Sequence, residues 1–250
     1  MFYRRKILLA LLQIFEGQID KISLQKLLFL FAKRQTKAEY NFIPYLYGCY
    51  SYSANADLTA MAGKGILSET ATHFVKVDPR DYIKSLKETD QKLLEEIKLH
   101  YGNMTANALM KHTYLYFPYW AINSKKTKEL LSSEQLEKVN NSRPKGNKTI
   151  LFTIGYEGIS LEEYLNRLLK NDIKILVDVR CNALSMKYGF SKSQLQRCCE
   201  NLEIRYVHFP EVGIQAEQRQ NLNTQAEYDK LFAVYRQTNL SKTTATQEKI

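Results

Sequence analysis

From Thr149 onward the chain alternates short apolar, β-branched runs with amphipathic stretches, and this alternation constrains the fold more than any other feature of the sequence. The spacing predicts strands over Thr149–Tyr156, Ile173–Val179 and Ile204–Phe209. Helices are predicted over Leu161–Lys170, Ser191–Asn201 (capped at Ser191) and Gln225–Tyr235, and a polar tail over Thr238–Ile250. Strand and helix in strict alternation imply a parallel sheet with right-handed crossovers. In such sheets ligands collect beyond the carboxyl ends of the strands. Those ends carry Gly155-Tyr156-Glu157-Gly158, Asp178-Val179-Arg180 and His208-Phe209-Pro210-Glu211.

The first half is written differently. Ile7, Leu8, Leu11, Leu12 and Phe15 recur at helical spacing up to Gly17, and a second helix is expected from a cap at Ser23 to the cationic end formed by Lys33, Arg34 and Lys37. Phe42–Gly48 reads as an extended segment broken by Pro44 and Gly48, and Ser53–Met61 as a third short helix ended by Gly63 and Gly65. Two short runs, Gly65–Ser68 and His73–Val77, flank a polar turn as the wing of a winged helix does. Helical pattern returns over Asp81–His100 and Thr105–Trp120. The Lys- and Arg-rich segment that follows ends in Arg143-Pro144-Lys145-Gly146-Asn147-Lys148 and reads as a linker. The expected fold class is therefore α+β: a helical, winged-helix-like domain over 1–122, a basic linker over 123–148, and an α/β parallel-sheet domain over 149–250.

Charge follows the same division. Of a formal net charge of +10, residues 1–148 supply 23 Lys/Arg against 14 Asp/Glu, and residues 149–250 supply 13 against 12. A cationic front unit beside a near-neutral one points to a polyanionic partner, DNA or RNA. Cys49, Cys181, Cys198 and Cys199 lack the spacing of a zinc or disulfide framework, and a reducing cytoplasm is the expected setting. Residues 2–15 imitate a secretory leader. No small-residue cleavage site follows, and the apolar run is too short to span a bilayer, so neither export nor membrane insertion is expected.

Four motifs in the second half resemble the family called domain of unknown function 488: Thr153-Ile154-Gly155-Tyr156-Glu157-Gly158, Val177-Asp178-Val179-Arg180, Gly189-Phe190-Ser191-Lys192, and Tyr206-Val207-His208 with Pro210-Glu211-Val212-Gly213. The likeness covers about residues 149–237 and implies a fold and a site rather than a reaction. Members usually continue into another strand bearing a cysteine and then a Cys-His-Arg element. This sequence reaches Ile250 without either, so the α/β domain is expected to lack its last strand. In the first half, Gln25–Leu30 followed by Phe42–Gly48 and Tyr50-Ser51 is similar to the SocA-type (Panacea) antitoxin domain, with Cys49 where that family usually has Pro.

These observations single out candidate residues. Glu157 and Asp178 at adjacent strand ends are placed for acid/base work or for a divalent cation, with His208 as a base titrating near neutral pH. Tyr156, Arg180, Ser191 and Glu211 would line a ligand, Arg180 suiting a phosphate. The competing reading is an Asp178–Arg180 ion pair that only fixes the strand–loop junction. Cys181 invites comparison with rhodanese-like loops but lacks their amide cradle. Lys33, Arg34, Lys37, Lys64 and Lys76 are candidate phosphate contacts for nucleic acid. The Tyr-rich segment 40–52 offers either a core edge or a docking surface for a protein partner, and Tyr114–Trp120 suggests packing between domains. Three functions follow: a nucleic-acid-associated protein with a phosphate-ligand site, a metal-dependent hydrolase or transferase on nucleotides or nucleic acid, and an antitoxin-type interaction module without catalysis.

Overall fold

The computed structural model describes residues 1–146, 148–219 and 222–250; Asn147, within the basic stretch read as a linker, lies outside the described residues. The protein is α+β and forms two compact units, Met1–Asn171 and Asp172–Ile250.

In the first unit, α1 (Tyr3–Ile14) leads through β1 (Gln18–Asp20) into α2 (Lys21–Arg34). The positive φ of Gly17 (+83°) makes the turn between them. Ten consecutive residues of α2, Ser23–Ala32, are buried, so this helix is the axis of the unit rather than a surface helix with one apolar stripe. Its cap is Asp20, whose Oδ1 accepts from the Ile22 and Ser23 amides at 3.1 and 2.9 Å, while the expected cap Ser23 lies inside the helix. The polar members of this buried run are spent on the next elements. Gln25 exchanges hydrogen bonds with the Ser51 backbone, and Lys26 donates to the Cys49 carbonyl at 2.8 Å. Burial pulls the Lys26 pKa down.

The extended segment after α2 closes into a hairpin, β2 (Ile43–Tyr45) with β3 (Gly48–Tyr50), and α3 (Tyr52–Ala62) follows, capped by Ser51. The hairpin expected over 65–77 forms as β4 (Leu67–Glu69) and β5 (His73–Lys76). β5 also pairs antiparallel with β1, a strand the sequence pattern did not show, giving a sheet of order β1-β5-β4. Next come α4 (Glu88–Tyr101) and α5 (Ala106–Tyr116), which pack on α2. α5 stops short of the expected Trp120 because Pro118 cannot continue it and begins a 3₁₀ turn instead. Residues 123–148 hold two further helices, α6 (Thr127–Leu130) and α7 (Ser133–Asn141); Leu131 and Val139 are buried there, and the stretch is packed up to Asn141.

Thr149–Tyr156 forms no strand. Ile150, Leu151 and Phe152 are exposed and their backbone joins no ladder. β-propensity records a fit to a pleated, half-buried surface, and without a neighbouring strand it has nothing to act on. α8 (Leu161–Lys170) then packs on α3 and β2 within the first unit.

The second unit holds β6 (Ile175–Asp178), α9 (Lys192–Glu200), β7 (Arg205–His208) and α10 (Gln225–Thr238). β6 and β7 pair in parallel with Asp178 opposite His208, as the alternation predicts. The residues expected to form a loose tail include 3₁₀ and α-helical turns, and Thr246 donates to Glu211 at 3.0 Å. Among the described residues no helix is long and apolar enough to cross a membrane.

Candidate functional site at the strand ends

Parallel pairing in register brings the last residues of β6 and β7 together, so Asp178 and His208 meet at one edge of the second unit. Arg180, two residues beyond Asp178, folds back onto it. Asp178 Oδ1 accepts from the Arg180 amide at 3.0 Å and from Nε at 2.9 Å. Oδ2 accepts from Arg180 Nη2 and from the Tyr206 hydroxyl, each at 2.5 Å. Arg180 Nη1 donates to the Phe190 carbonyl at 2.9 Å, tying in the loop that leads to α9. The pair is enclosed, with side-chain exposures of 5% for Asp178 and 19% for Arg180.

Burial works against ionising Asp178. The hydrogen bonds from Arg180 and Tyr206 outweigh it, and the carboxyl is held below its ordinary range. The same geometry, burial first and then the bond to Asp178, raises the Tyr206 hydroxyl. The carboxylate is thus ionised and its four acceptor directions are taken. A cation binding there has to displace Arg180 or Tyr206. Among the described residues no group of three or more His, Cys, Asp or Glu is gathered to hold a metal.

His208 Nε2 lies 2.8 Å from the Arg180 carbonyl oxygen. A carbonyl only accepts, so Nε2 carries a proton and donates it to Arg180. Ser191 occupies the cap position of α9, yet its hydroxyl accepts from the Ser185 amide and donates to the Ser185 carbonyl at 3.1 Å, bracing the loop instead of the helix. Glu211 is exposed and receives Thr246. Gly213 passes so close that a Cβ would stand 2.2 Å from the Cys181 nitrogen and 2.6 Å from the Val179 oxygen. Cys181 itself donates to Gln215 Oε1 at 2.9 Å.

Tyr156 and Glu157 belong to the first unit and stand on irregular backbone, Tyr156 half-buried and Glu157 exposed. The strand that was to present them is not formed. The site as built in the second unit is Asp178, Arg180, Tyr206 and His208. Tyr206 was missed as a partner of Asp178, although its place two residues before His208 on a strand puts the two on one face.

The cationic candidates divide. Arg34 pairs with Glu96, and Lys76 donates to the Asp78 carbonyl with its ammonium 5.4 Å from the Tyr82 ring. Lys33 lies 4.9 Å from the Trp120 ring. Lys37 and Lys64 are exposed and have no ion pair among the described residues. In the Tyr-rich segment, Tyr40 is buried and donates to Asp57 at 2.9 Å; Tyr45, Tyr50 and Tyr52 meet in tilted and edge-to-face contacts with ring centroids 5.1–5.7 Å apart; Tyr47 is exposed.

A polar contact that sequence reasoning did not find lies between α8 and α3. Glu162 is fully buried and accepts from the Ser53 amide at 2.7 Å, the Ser53 hydroxyl at 3.0 Å and the Ser51 hydroxyl at 3.2 Å. It closes the amino end of α3, where an anion suits the free amides and the helix dipole.

The second unit contains a parallel strand pair with a helix between its strands in sequence and an arginine-clamped aspartate at the exit of the first strand. The family described as domain of unknown function DUF488 has a model that matches residues 160–250, so over that segment the resemblance carried by the motifs is borne out. The match begins after the Thr153–Gly158 motif and covers the other three. No curated protein matches the chain.

Proposed function

We propose that this is a nucleic-acid-associated protein whose first unit is a winged helix contacting the phosphate backbone, and whose strand-end site takes a phosphate-bearing ligand. The observation that carries the reading is the β1-β5-β4 sheet, in which a hairpin follows α3 and pairs back onto the strand between the first two helices. Exposed Lys64 at the base of that hairpin and exposed Lys37 after α2, in a half of the chain with a large cationic excess, support it. Because Glu162 occupies the amino end of α3, the contacts are assigned to the hairpin and the lysines rather than to that helix end. At the strand ends the reading is binding, not hydrolysis: Asp178 has no acceptor direction left to serve as a base.

The test is fluorescence anisotropy with labelled duplex and single-stranded DNA and RNA across a salt series. Log affinity is expected to fall linearly with log salt, and replacing both Lys37 and Lys64 with Ala to lower the slope by about two. Absence of salt-sensitive binding to all these probes refutes the reading.

A further inference from the structure

The first unit contains a pocket of about 340 Å³; of the cationic candidates it takes in Lys33, and not Lys37 or Lys64, on which the nucleic-acid reading rests. Its floor is Phe29 and Phe42, which meet edge to face at 5.2 Å, and Trp120 stands against Phe29 at 5.3 Å. Two ammonium groups, Lys33 from α2 and Lys170 from the end of α8, stand at its rim. Among the described residues neither has a carboxylate partner. Each instead lies near an aromatic ring, Lys33 at 4.9 Å from Trp120 and Lys170 at 6.0 Å from Tyr119. The acid on the rim, Glu163, is already paired with Arg167 at 2.7 Å. The pocket thus keeps two positive charges above an apolar floor, and a cleft of this size with a few convergent polar groups is the ordinary form of a small-molecule site.

We propose that this pocket binds a small aromatic phosphate monoester, its ring against the Phe42 and Trp120 walls and its phosphate between Lys33 and Lys170. Charge selects the class. The Glu163–Arg167 pair is neutral, so two ammoniums remain, and a phosphate dianion balances both where a carboxylate balances one. The Lys33 pKa is pulled down by burial and then by the neighbouring Lys170 charge, a repulsion that a bound dianion relieves. The walls select an arene over an alkyl chain, because ring edges and faces meet favourably at these spacings. The site belongs to the first unit and stands apart from the nucleic-acid reading; loss of binding to DNA and RNA leaves it untouched.

Trp120 is the only tryptophan in the chain, so its emission reports directly on the pocket. The experiment titrates the full chain with phenyl phosphate above neutral pH at low salt, exciting tryptophan selectively, with phenol and inorganic phosphate as separate probes. A saturable change in Trp120 emission is expected, with phenol and inorganic phosphate each at least about tenfold weaker. Lys33→Gln and Lys170→Gln are each expected to weaken phenyl phosphate by about fivefold to tenfold. Ala38→Leu narrows the pocket and keeps both charges; it should weaken phenyl phosphate and leave inorganic phosphate unchanged. No emission change up to about 10 mM overturns the proposal. So does equal binding of phenol, which signals a plain apolar cleft, or of inorganic phosphate, which signals a surface lysine pair. Unchanged affinity in the Lys33→Gln/Lys170→Gln double variant overturns it as well.

Discussion

Replacing Glu162 with alanine removes the acceptor of three hydrogen bonds inside the first unit: the Ser53 amide, the Ser53 hydroxyl and the Ser51 hydroxyl. Hydrogen bonds to an ionised acceptor contribute about 1.5–3 kcal/mol each, but the three do not add. Removing the carboxylate also removes the cost of burying it. Against that, the Ser53 amide and the two hydroxyls lose their acceptor, and α3 loses the anion at its amino end. The net is about 3 kcal/mol for Glu162→Ala. Glu162→Gln keeps a carbonyl for the amide and lets the hydroxyls rotate to accept, at about 1 kcal/mol. For a unit of this size, about 2–4 °C per kcal/mol makes the alanine variant melt about 6–12 °C lower. Trp120 emission isolates that transition, since the single tryptophan lies in the first unit. If Glu162→Ala changes stability by less than about 0.5 kcal/mol, or if Gln costs as much as Ala, the carboxylate does not fasten α8 to α3 and the reasoning fails.

Two predictions concern the second unit. Asp178→Asn should destabilise it by about 2 kcal/mol at neutral pH, because Arg180 and Tyr206 are left facing a neutral amide. Since the folded carboxyl titrates below its unfolded value of about 4, the wild-type contribution is fully present above that pH and is lost as pH falls through the folded value. Chemical denaturation followed by amide exchange of β6 and β7 should therefore show an acid-side loss of stability that the Asn variant largely lacks; parallel pH profiles would remove the clamp from the account. Gly213→Ala should cost about 1–3 kcal/mol. Its backbone, φ −74° and ψ 148°, suits any residue, so the objection is space alone: the new Cβ would collide with Cys181 and Val179. An unchanged denaturation midpoint would show that the two strands of chain do not pass so closely.

What could be read in advance divides by the sequence distance over which each contact acts. The hairpin over 65–77 and the helices beginning near Leu24, Leu161 and Gln225 follow from periodicity and turn residues within a dozen positions, and the parallel pair of β6 and β7, thirty residues apart, follows from the alternation of strand and helix. The Asp178–Arg180 pair is equally local, two residues apart at a strand exit, and was legible together with its purely structural alternative. The α2 cap was misplaced by three residues because Asp20 and Ser23 are both good caps; which one is used depends on β1 pairing with β5, more than fifty residues away.

Tertiary structure alone decided the rest. Thr149–Tyr156 has strand composition, but a strand exists only where another accepts its hydrogen bonds, and composition is silent on that. Glu162 reads as a first-turn acid on a helix, indistinguishable in sequence from exposed Glu134 at the start of α7, until α3 is packed against it. Lys33 reads as a helix-end cation, and only the approach of Lys170 and Trp120 converts it into the rim of a pocket. Pattern and spacing determine which segments become helix, because helical bonds close within a few residues. Which faces then meet, and hence which charges are capped, clamped or left over a cavity, is settled by contacts that span a hundred residues and leave no periodic trace.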